Sequence, residues 1–209
     1  MRFVRLLPIF LLALTSAIVV GAQAPAAGGG QGGAPRAGGG GGPQFNMMME
    51  FPDGAELPQK NSGLGMMLSP KIDWVNPPKG TVSFVLSMND IDFSRNKTME
   101  GMLHWLVWNI PASATGLPEG LPMGPLANGG YQISASGQMY RAPVGPGRKH
   151  HYIFELMALD TMLDVKPSDM PFETRAAVFK GSEGHIVGKI AWVTTFGPNN
   201  VQPAPVPAR

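Results

Sequence analysis

Polar side chains that could do chemistry stand at the ends of three apolar runs in this sequence. Asp90 and Asp92 follow one run, His104 opens a second, and His150 and Tyr152 open a third. If these runs are strands, their ends are where a pocket would collect polar groups. The sequence therefore predicts one candidate site built from strand ends.

Three kinds of chemistry fit this set of side chains. Two histidines and a carboxylate could coordinate Zn²⁺ or Fe²⁺. Alternatively, a protonated histidine, a tyrosine hydroxyl and turn amides could donate hydrogen bonds to an oxyanion, while a carboxylate orients and charges the histidine. In the third alternative, each histidine only caps a strand or packs beneath an aromatic ring. The spacing of the residues does not choose among these three.

Several catalytic signatures are absent from the 209-residue chain. It contains no cysteine, which excludes disulfides, thiolate zinc sites and cysteine nucleophiles. The zincin motif His-Glu-x-x-His, the nucleophile elbow Gly-x-Ser-x-Gly and the phosphate-binding P-loop are also missing. The common hydrolase and nucleotide-binding classes therefore have no support in the sequence.

The elements that must position the candidate residues are short and bounded by turn residues, which favours a β-rich domain. Four strands are predicted, with one helix before the last of them, because proline suits the first turn of a helix. The strands are predicted at 81–88, 104–110, 151–159 and 186–196, and the helix at 171–180.

The chain divides into four segments. Residues 1–22 have the basic start, apolar centre and small-residue end of a secretory signal, and residues 23–45 form a Gly/Pro-rich disordered linker. The domain is predicted over 46–200, followed by a Pro-rich tail at 201–209. We therefore expect an exported protein, periplasmic or secreted, with no stable membrane anchor after cleavage, because the apolar run is shorter than the roughly 20 residues that span a bilayer.

The basic residues do not indicate a nucleic-acid partner. The formal net charge is +2, but four of the 16 lysines and arginines lie in the terminal segments, which leaves 12 basic against 14 acidic residues. Binding to a phosphate backbone needs basic residues clustered on one face. We expect no nucleic-acid binding.

A series of motifs follows one order through residues 65–197. In chain order they are Ser-Pro-Lys-Ile-Asp-Trp (69–74), Pro-Lys-Gly-Thr-Val-Ser-Phe (78–84), Asn-Asp-Ile-Asp-Phe (89–93), His-Trp-Leu-Val-Trp-Asn-Ile-Pro (104–111), the segment 140–152 and Gly-His-Ile-Val (184–187). This series resembles the phosphatidylethanolamine-binding protein family, in particular its bacterial Raf kinase inhibitor-like branch.

The resemblance implies a mainly β fold, an antiparallel β-sandwich with a few short peripheral helices. It also implies a pocket for phosphate, phosphorylethanolamine and related anions, with Asp90 orienting His104. By this resemblance the ligand-binding residues are Asp90, His104, Pro143, Pro146, His150 and Tyr152. No catalytic residue, metal ligand or cofactor is expected.

The sequence departs from the family pattern in the loops around this pocket. Ile91 replaces the proline of an Asp-Pro-Asp motif, Ala142 replaces a glycine, and Gly145 replaces a proline. The loop after Asp90 thereby loses a rigid residue, and an alanine disfavours the positive φ angles that glycine adopts.

Three functions are open at this point. The leading one is a non-catalytic binding protein with a small anion pocket for phosphate-bearing head groups or metabolites. The alternative is a protein-binding modulator, such as an inhibitor of a secreted hydrolase or kinase. The third is an enzyme or metal protein that uses Asp90, His104 and His150.

Overall fold

A computed structural model describes residues 43–94 and 97–198. The predicted signal segment, most of the linker and the tail lie outside these residues. The elements, in chain order, are β1 (Asn46–Met49), a short 3-10 helix (Gln59–Asn61), β2 (Ile72–Val75), β3 (Ser83–Asp90), β4 (Met102–Pro111), β5 (Gly116–Leu117), β6 (Tyr131–Ile133), β7 (His150–Leu159), α1 (Pro171–Ser182) and β8 (Ile186–Phe196). In this described part, no helix is long and apolar enough to cross a membrane.

The strands form two antiparallel sheets. The larger sheet has the order β6-β4-β3-β7-β8, and the smaller one has the order β1-β2-β5. The central strand β3 pairs with β4 on one side, with two register shifts, and with β7 on the other side without a shift. The predicted antiparallel β architecture is confirmed, with one α-helix and one 3-10 turn in the described residues.

The alternation of side chains along β3 sends them into two separate cores. Phe84, Leu86 and Met88 pack in an inter-sheet core, which also contains residues of the smaller sheet such as Trp74. Val85 points the other way, into a helix-side core that contains Val178 of α1. Because successive side chains of a strand point to opposite faces, β3, which is buried along its whole length, contributes to both cores.

The predicted elements agree with the structure in type. The predicted strand 81–88 begins and ends two residues later, because Val82 is exposed and pairing continues to Asp90. The predicted helix 171–180 is extended by two residues to Ser182. Trp105 and Trp108 of β4 are both fully buried, the first in the inter-sheet core and the second in the helix-side core.

A buried arginine fastens α1 to the end of the central strand. The Arg175 side chain is 2% exposed, and its Nη1 donates to Asn89 Oδ1 at 2.7 Å and to the Gly101 carbonyl at 3.0 Å. Its Nη2 lies 3.7 Å from the Glu100 carboxylate. Since Asn89 precedes Asp90 and Gly101 precedes β4, this arginine fixes the two strand ends that carry the candidate site.

We expect Arg175→Met to destabilise the domain by about 2–4 kcal/mol, because it leaves the buried acceptors of Asn89 and Gly101 without a donor. Urea unfolding monitored by tryptophan fluorescence measures this change. The matched control is Lys180→Met on the same helix, where an exposed ion pair with Glu183 is lost and the unfolding midpoint should barely move. Equal midpoints for the two variants would contradict the anchoring role of Arg175.

Candidate functional site

The register of three strands brings the predicted site residues to one end of the larger sheet. Asp90, the last residue of β3, lies opposite Met102 of β4 and opposite Tyr152 of β7. His104 is two residues into β4, and His150 is the first residue of β7. Strand pairing alone therefore places side chains that are 60 residues apart in sequence beside one another.

A β-bulge sets the position of His104. Met88 lies opposite Trp105 and Asn89 lies opposite Leu103, so His104 is the extra residue on β4. A bulge bends its strand and redirects the side chain at that point. The His104 side chain therefore does not follow the alternation of side chains along β4. The pattern of apolar residues in the sequence could not have predicted this departure.

These strand ends enclose a cavity with a volume of about 60 Å³. It is lined by Asp90, Phe93, Met102, His104, Arg141, Val144, Pro146, His150 and Tyr152. The volume exceeds the roughly 10–15 Å³ that one water needs, but it is far below the 300 Å³ or more of a pocket for a drug-sized ligand. A small polar group fits within it.

Five of the six predicted ligand-binding residues line this cavity. The sixth, Pro143, does not, and its carbonyl accepts a hydrogen bond from the Gly63 N–H at 2.8 Å. The other four lining residues were not predicted from the sequence: Phe93, Met102, Arg141 and Val144. Arg141 and Val144 could have been predicted, because they lie in the 140–152 motif close to the predicted Pro143 and Pro146.

Asp90 and His150 form a buried pair. His150 Nδ1 lies 2.7 Å from Asp90 Oδ2, and the two side chains are 5% and 4% exposed. The other carboxylate oxygen, Oδ1, accepts the backbone N–H of Asp92 at 3.0 Å. Both oxygens of a buried carboxylate thus have donors, as burial of a charged group requires. The second ring nitrogen of His150, Nε2, has no protein partner within residues 43–94 and 97–198.

The predicted role of Asp90 in orienting His104 is wrong. His104 Nδ1 instead lies 2.7 Å from the backbone carbonyl oxygen of Arg141. The Arg141 backbone N–H also donates to the His104 carbonyl at 2.9 Å, so the two residues are bonded twice. The bulge accounts for the difference, because it turns the His104 ring toward the loop that carries Arg141.

The Arg141 carbonyl fixes the tautomer of His104. A carbonyl oxygen only accepts, so Nδ1 carries the ring proton and Nε2 carries a lone pair. Burial lowers the pKa of His104 from 6.5 to about 4, against the opposing effects of the Arg141 carbonyl and Asp90. The charges of Arg141 and His150 lower this pKa further. At neutral pH His104 is therefore an uncharged hydrogen-bond acceptor.

Tyr152 supplies a hydroxyl group beside both imidazoles. Its ring makes an edge contact with His104, with centroids 5.0 Å apart, and stacks on His150 at 6.4 Å. Burial and the charge of Asp90 raise the pKa of Tyr152 above its usual value of 10, while a backbone hydrogen bond with Gly145 lowers it. The hydroxyl stays protonated and can donate to a ligand.

Hydrogen bonds replace the missing proline in the loop after Asp90. The Asp92 carboxylate accepts the His151 backbone N–H at 2.6 Å and lies 2.8 Å from His151 Nδ1. Arg148 lies 3.4 Å from the same carboxylate. Burial opposes ionisation of Asp92, but the His151 hydrogen bonds and the Arg148 charge lower its pKa overall. The contacts of the Asp92 carboxylate thus hold the loop in place where the family pattern has a rigid proline.

Gly145 explains a second departure from the family pattern. Its φ angle is +51°, which a proline cannot adopt, and a Cβ here would lie 2.4 Å from the Cα of Gly197. Ala142, in contrast, is not among the positive-φ residues of the described chain. The loop is therefore built around glycine at 145.

The buried, neutral His104 makes stability depend on pH. The unfolded chain binds a proton at His104 near pH 6.5, whereas the folded chain binds it only near pH 4. Because only the unfolded chain takes up this proton between these two values, the free energy of unfolding is highest above pH 6.5 and falls as the pH decreases toward 4. Between pH 6.5 and pH 4, we expect the free energy of unfolding of His104→Gln to fall by about 3 kcal/mol less than that of the wild type.

Urea unfolding at several pH values between 7 and 4 measures this difference. His185→Gln is the matched control, because His185 is a half-exposed histidine that pairs with Asp160 away from the cavity. The same pH slope in the wild type and in His104→Gln would show that His104 protonates equally in both states.

The described residues contain no cluster of three or more histidines, aspartates or glutamates arranged to hold a metal ion. Asp90, His104 and His150 do line one cavity. However, the Nδ1 atoms of both histidines are held by protein oxygens. The arrangement lines the cavity with hydrogen-bonding groups.

Comparison with known proteins identifies a family model and related proteins that match this chain. A family model described as phosphatidylethanolamine-binding protein matches residues 48–197. A UPF0098 protein of Methanothermobacter thermautotrophicus is 34% identical over 142 residues, which cover 66% of this chain and 89% of that protein. The UPF0098 protein YbhB of Escherichia coli is 33% identical over 147 residues, which cover 65% and 83% of the two chains.

Two solved structures have the same fold. A putative phosphatidylethanolamine-binding protein homologue, CT736 of Chlamydia trachomatis, superposes with a TM-score of 0.62 at 24% identity, covering 74% of this chain and 98% of that one. YbcL of E. coli, described as a member of the mammalian PEBP family, has a TM-score of 0.56, also at 24% identity, over 73% and 97% of the chains. With the match of the family model across the whole described domain, these findings make the chain a member of the phosphatidylethanolamine-binding protein family.

Proposed function

We propose that this domain is a non-catalytic binding protein whose cavity holds a small phosphate-bearing ligand or a related anion. One observation carries the proposal: the buried pair of Asp90 and His150 leaves His150 Nε2 without a protein partner at a cavity of about 60 Å³. A histidine ring nitrogen without a protein partner is free to bond to a ligand or to water.

The groups around His150 Nε2 suit a negative charge. When His150 carries both ring protons, Nε2–H becomes a donor, and the Asp90 carboxylate balances the positive charge of the ring. The Tyr152 hydroxyl adds a second donor, and the cationic Arg141 lines the same cavity. The small volume admits a head group or a metabolite phosphate and leaves the rest of a larger ligand outside.

Binding of inorganic phosphate should depend on His150. Calorimetric titration of the chain with inorganic phosphate measures this binding. His150→Asn should weaken binding at least about tenfold, in line with loss of a charged hydrogen bond. High salt should weaken it as well.

His185→Asn is the matched control, since it removes a half-exposed histidine that lies outside the cavity. It should bind phosphate like the wild type. Equal affinity in the wild type and in His150→Asn would contradict the proposed site.

A second candidate function is a protein-binding modulator of a secreted hydrolase or kinase. The observation in its favour is an exposed apolar segment, in which Leu64, Met66 and Met67 are each more than 60% exposed. Exposed apolar groups of this kind are common at protein interfaces. Binding to a partner through this segment would be unaffected by His150→Asn, which distinguishes it from ligand binding in the cavity.

We also propose that the chain is exported with cleavage after Ala22, on the sequence pattern of residues 1–22. N-terminal sequencing of the protein recovered outside the cytoplasm should read from Gln23. An intact N-terminus in that fraction, or recovery only from the cytoplasm, would contradict the proposal.

A further inference from the structure

A second cavity adjoins the one that contains Asp90 and His150, which we now call the strand-end cavity. The second one has a volume of about 270 Å³, and it shares Arg141 and Val144 with the strand-end cavity as lining residues. We call it the side cavity. Because two residues line both spaces, a ligand held in the small cavity can extend past them into the larger one.

The side cavity differs from the strand-end cavity in its chemistry. Apolar side chains form most of its wall: Met67, Met139, Ala142 and Val144. The Tyr140 hydroxyl, which is buried behind this wall, donates to the Asn61 carbonyl at 2.8 Å and is therefore already bonded. The side cavity thus offers mainly apolar surface to a ligand.

Arg141 is the one charged residue among the described residues that line the side cavity. Its Nη1 donates to Ser136 Oγ at 2.7 Å, which ties the guanidinium to the side-cavity wall. The same residue lines the strand-end cavity. A positive charge at the place where the two cavities meet suits a ligand whose anionic group is in one cavity and whose remainder is in the other.

The wall that Met67 and Val144 contribute is held by the backbone. The Gly63 N–H donates to the Pro143 carbonyl at 2.8 Å, which brings the loop of Met67 against the loop of Val144. The two loops are so close that a Cβ at Gly63 would lie 2.5 Å from Val144 Cγ1. A ligand therefore meets a wall that is already formed, and little ordering of the loops opposes binding.

Met67 leaves apolar surface uncovered in this wall. Its side chain is 63% exposed, so a ligand group that covers it removes apolar area from water. Methionine is unbranched and polarizable, and its sulfur makes favourable contacts with aromatic rings. Met139 lines the same space. A pair of methionines suits an aromatic ring or a short aliphatic chain.

We propose that the side cavity binds a short apolar or aromatic group of the ligand, so that the ligand of this protein is a soluble organic anion with such a substituent rather than free phosphate. This inference rests on the proposed anion-binding function. The anionic group occupies the strand-end cavity, and the substituent passes Arg141 and Val144 to lie against Met67 and Met139.

The size of the side cavity favours a soluble ligand over a membrane lipid. Its volume is below the roughly 300 Å³ at which pockets for drug-sized molecules begin. A ring or a short chain fits within it, whereas the two acyl chains of a phospholipid do not. We therefore expect the full chain not to sediment with phosphatidylcholine vesicles that contain phosphatidic acid.

Two probes with the same anionic group test the proposal. Phenyl phosphate and methyl phosphate both carry two negative charges at about pH 8, because a phosphomonoester loses its second proton near pH 6. They differ in the apolar substituent. We expect calorimetry on the full chain to show phenyl phosphate binding at least about tenfold more tightly, because its ring is buried in the side cavity.

Met67→Gln tests the position of the substituent, because glutamine has a similar length but a polar end. The preference for phenyl phosphate should fall to about threefold or less, while the affinity for methyl phosphate stays unchanged. Met66→Gln is the matched control. Met66 is the next residue on the same loop and is 69% exposed, but it lines neither cavity. This variant should keep the wild-type preference.

The outcomes separate this inference from the function on which it rests. Binding of neither probe would overturn the anion site itself. Equal binding of the two probes would leave the anion site in place and overturn the role of the side cavity. The same preference in Met67→Gln as in Met66→Gln would overturn the position of the substituent, and sedimentation with the vesicles would overturn the soluble source.

Discussion

A buried carboxylate at the end of the central strand is the constraint on which this site depends. Asp90 is 3% exposed, and a charge in that environment must have hydrogen-bond donors on both oxygens. One donor is the His150 ring at the start of β7, and the other is the Asp92 backbone in the next loop. The requirement to satisfy Asp90 thus fixes a strand end, a histidine and a loop together.

The same constraint gives the two histidines opposite chemistry. His150 bonds through Nδ1 to the Asp90 carboxylate, and its Nε2 has no protein partner in the described residues. His104 lies on a bulge and bonds to a peptide carbonyl, and burial keeps its pKa near 4. One residue type in one small cavity therefore supplies both a donor and an acceptor.

Strand alternation and the order of the motifs were enough to predict the β architecture, the helix and five of the residues that line the cavity. Sequence spacing could not predict the carboxylate partner of each histidine, because that depends on a one-residue bulge at His104. Asp90 was expected to orient His104. Because the bulge turns His104 toward Arg141, the Asp90 carboxylate bonds to His150 instead. Pro143 was placed in the pocket by the motif alone, whereas its carbonyl binds Gly63 outside the cavity. Side-chain type is thus visible in the sequence, while register and tautomer are visible only in the fold.

The most direct test is the protonation of the His104 ring in the folded protein. Long-range ¹H–¹⁵N spectra of the labelled chain at about pH 7, assigned with His104→Gln, distinguish a protonated ring nitrogen from a bare one. The structure predicts a proton on Nδ1 and a bare Nε2 for His104. Protons on both nitrogens, or on Nε2 alone, would contradict the acceptor role from which the chemistry of the cavity follows.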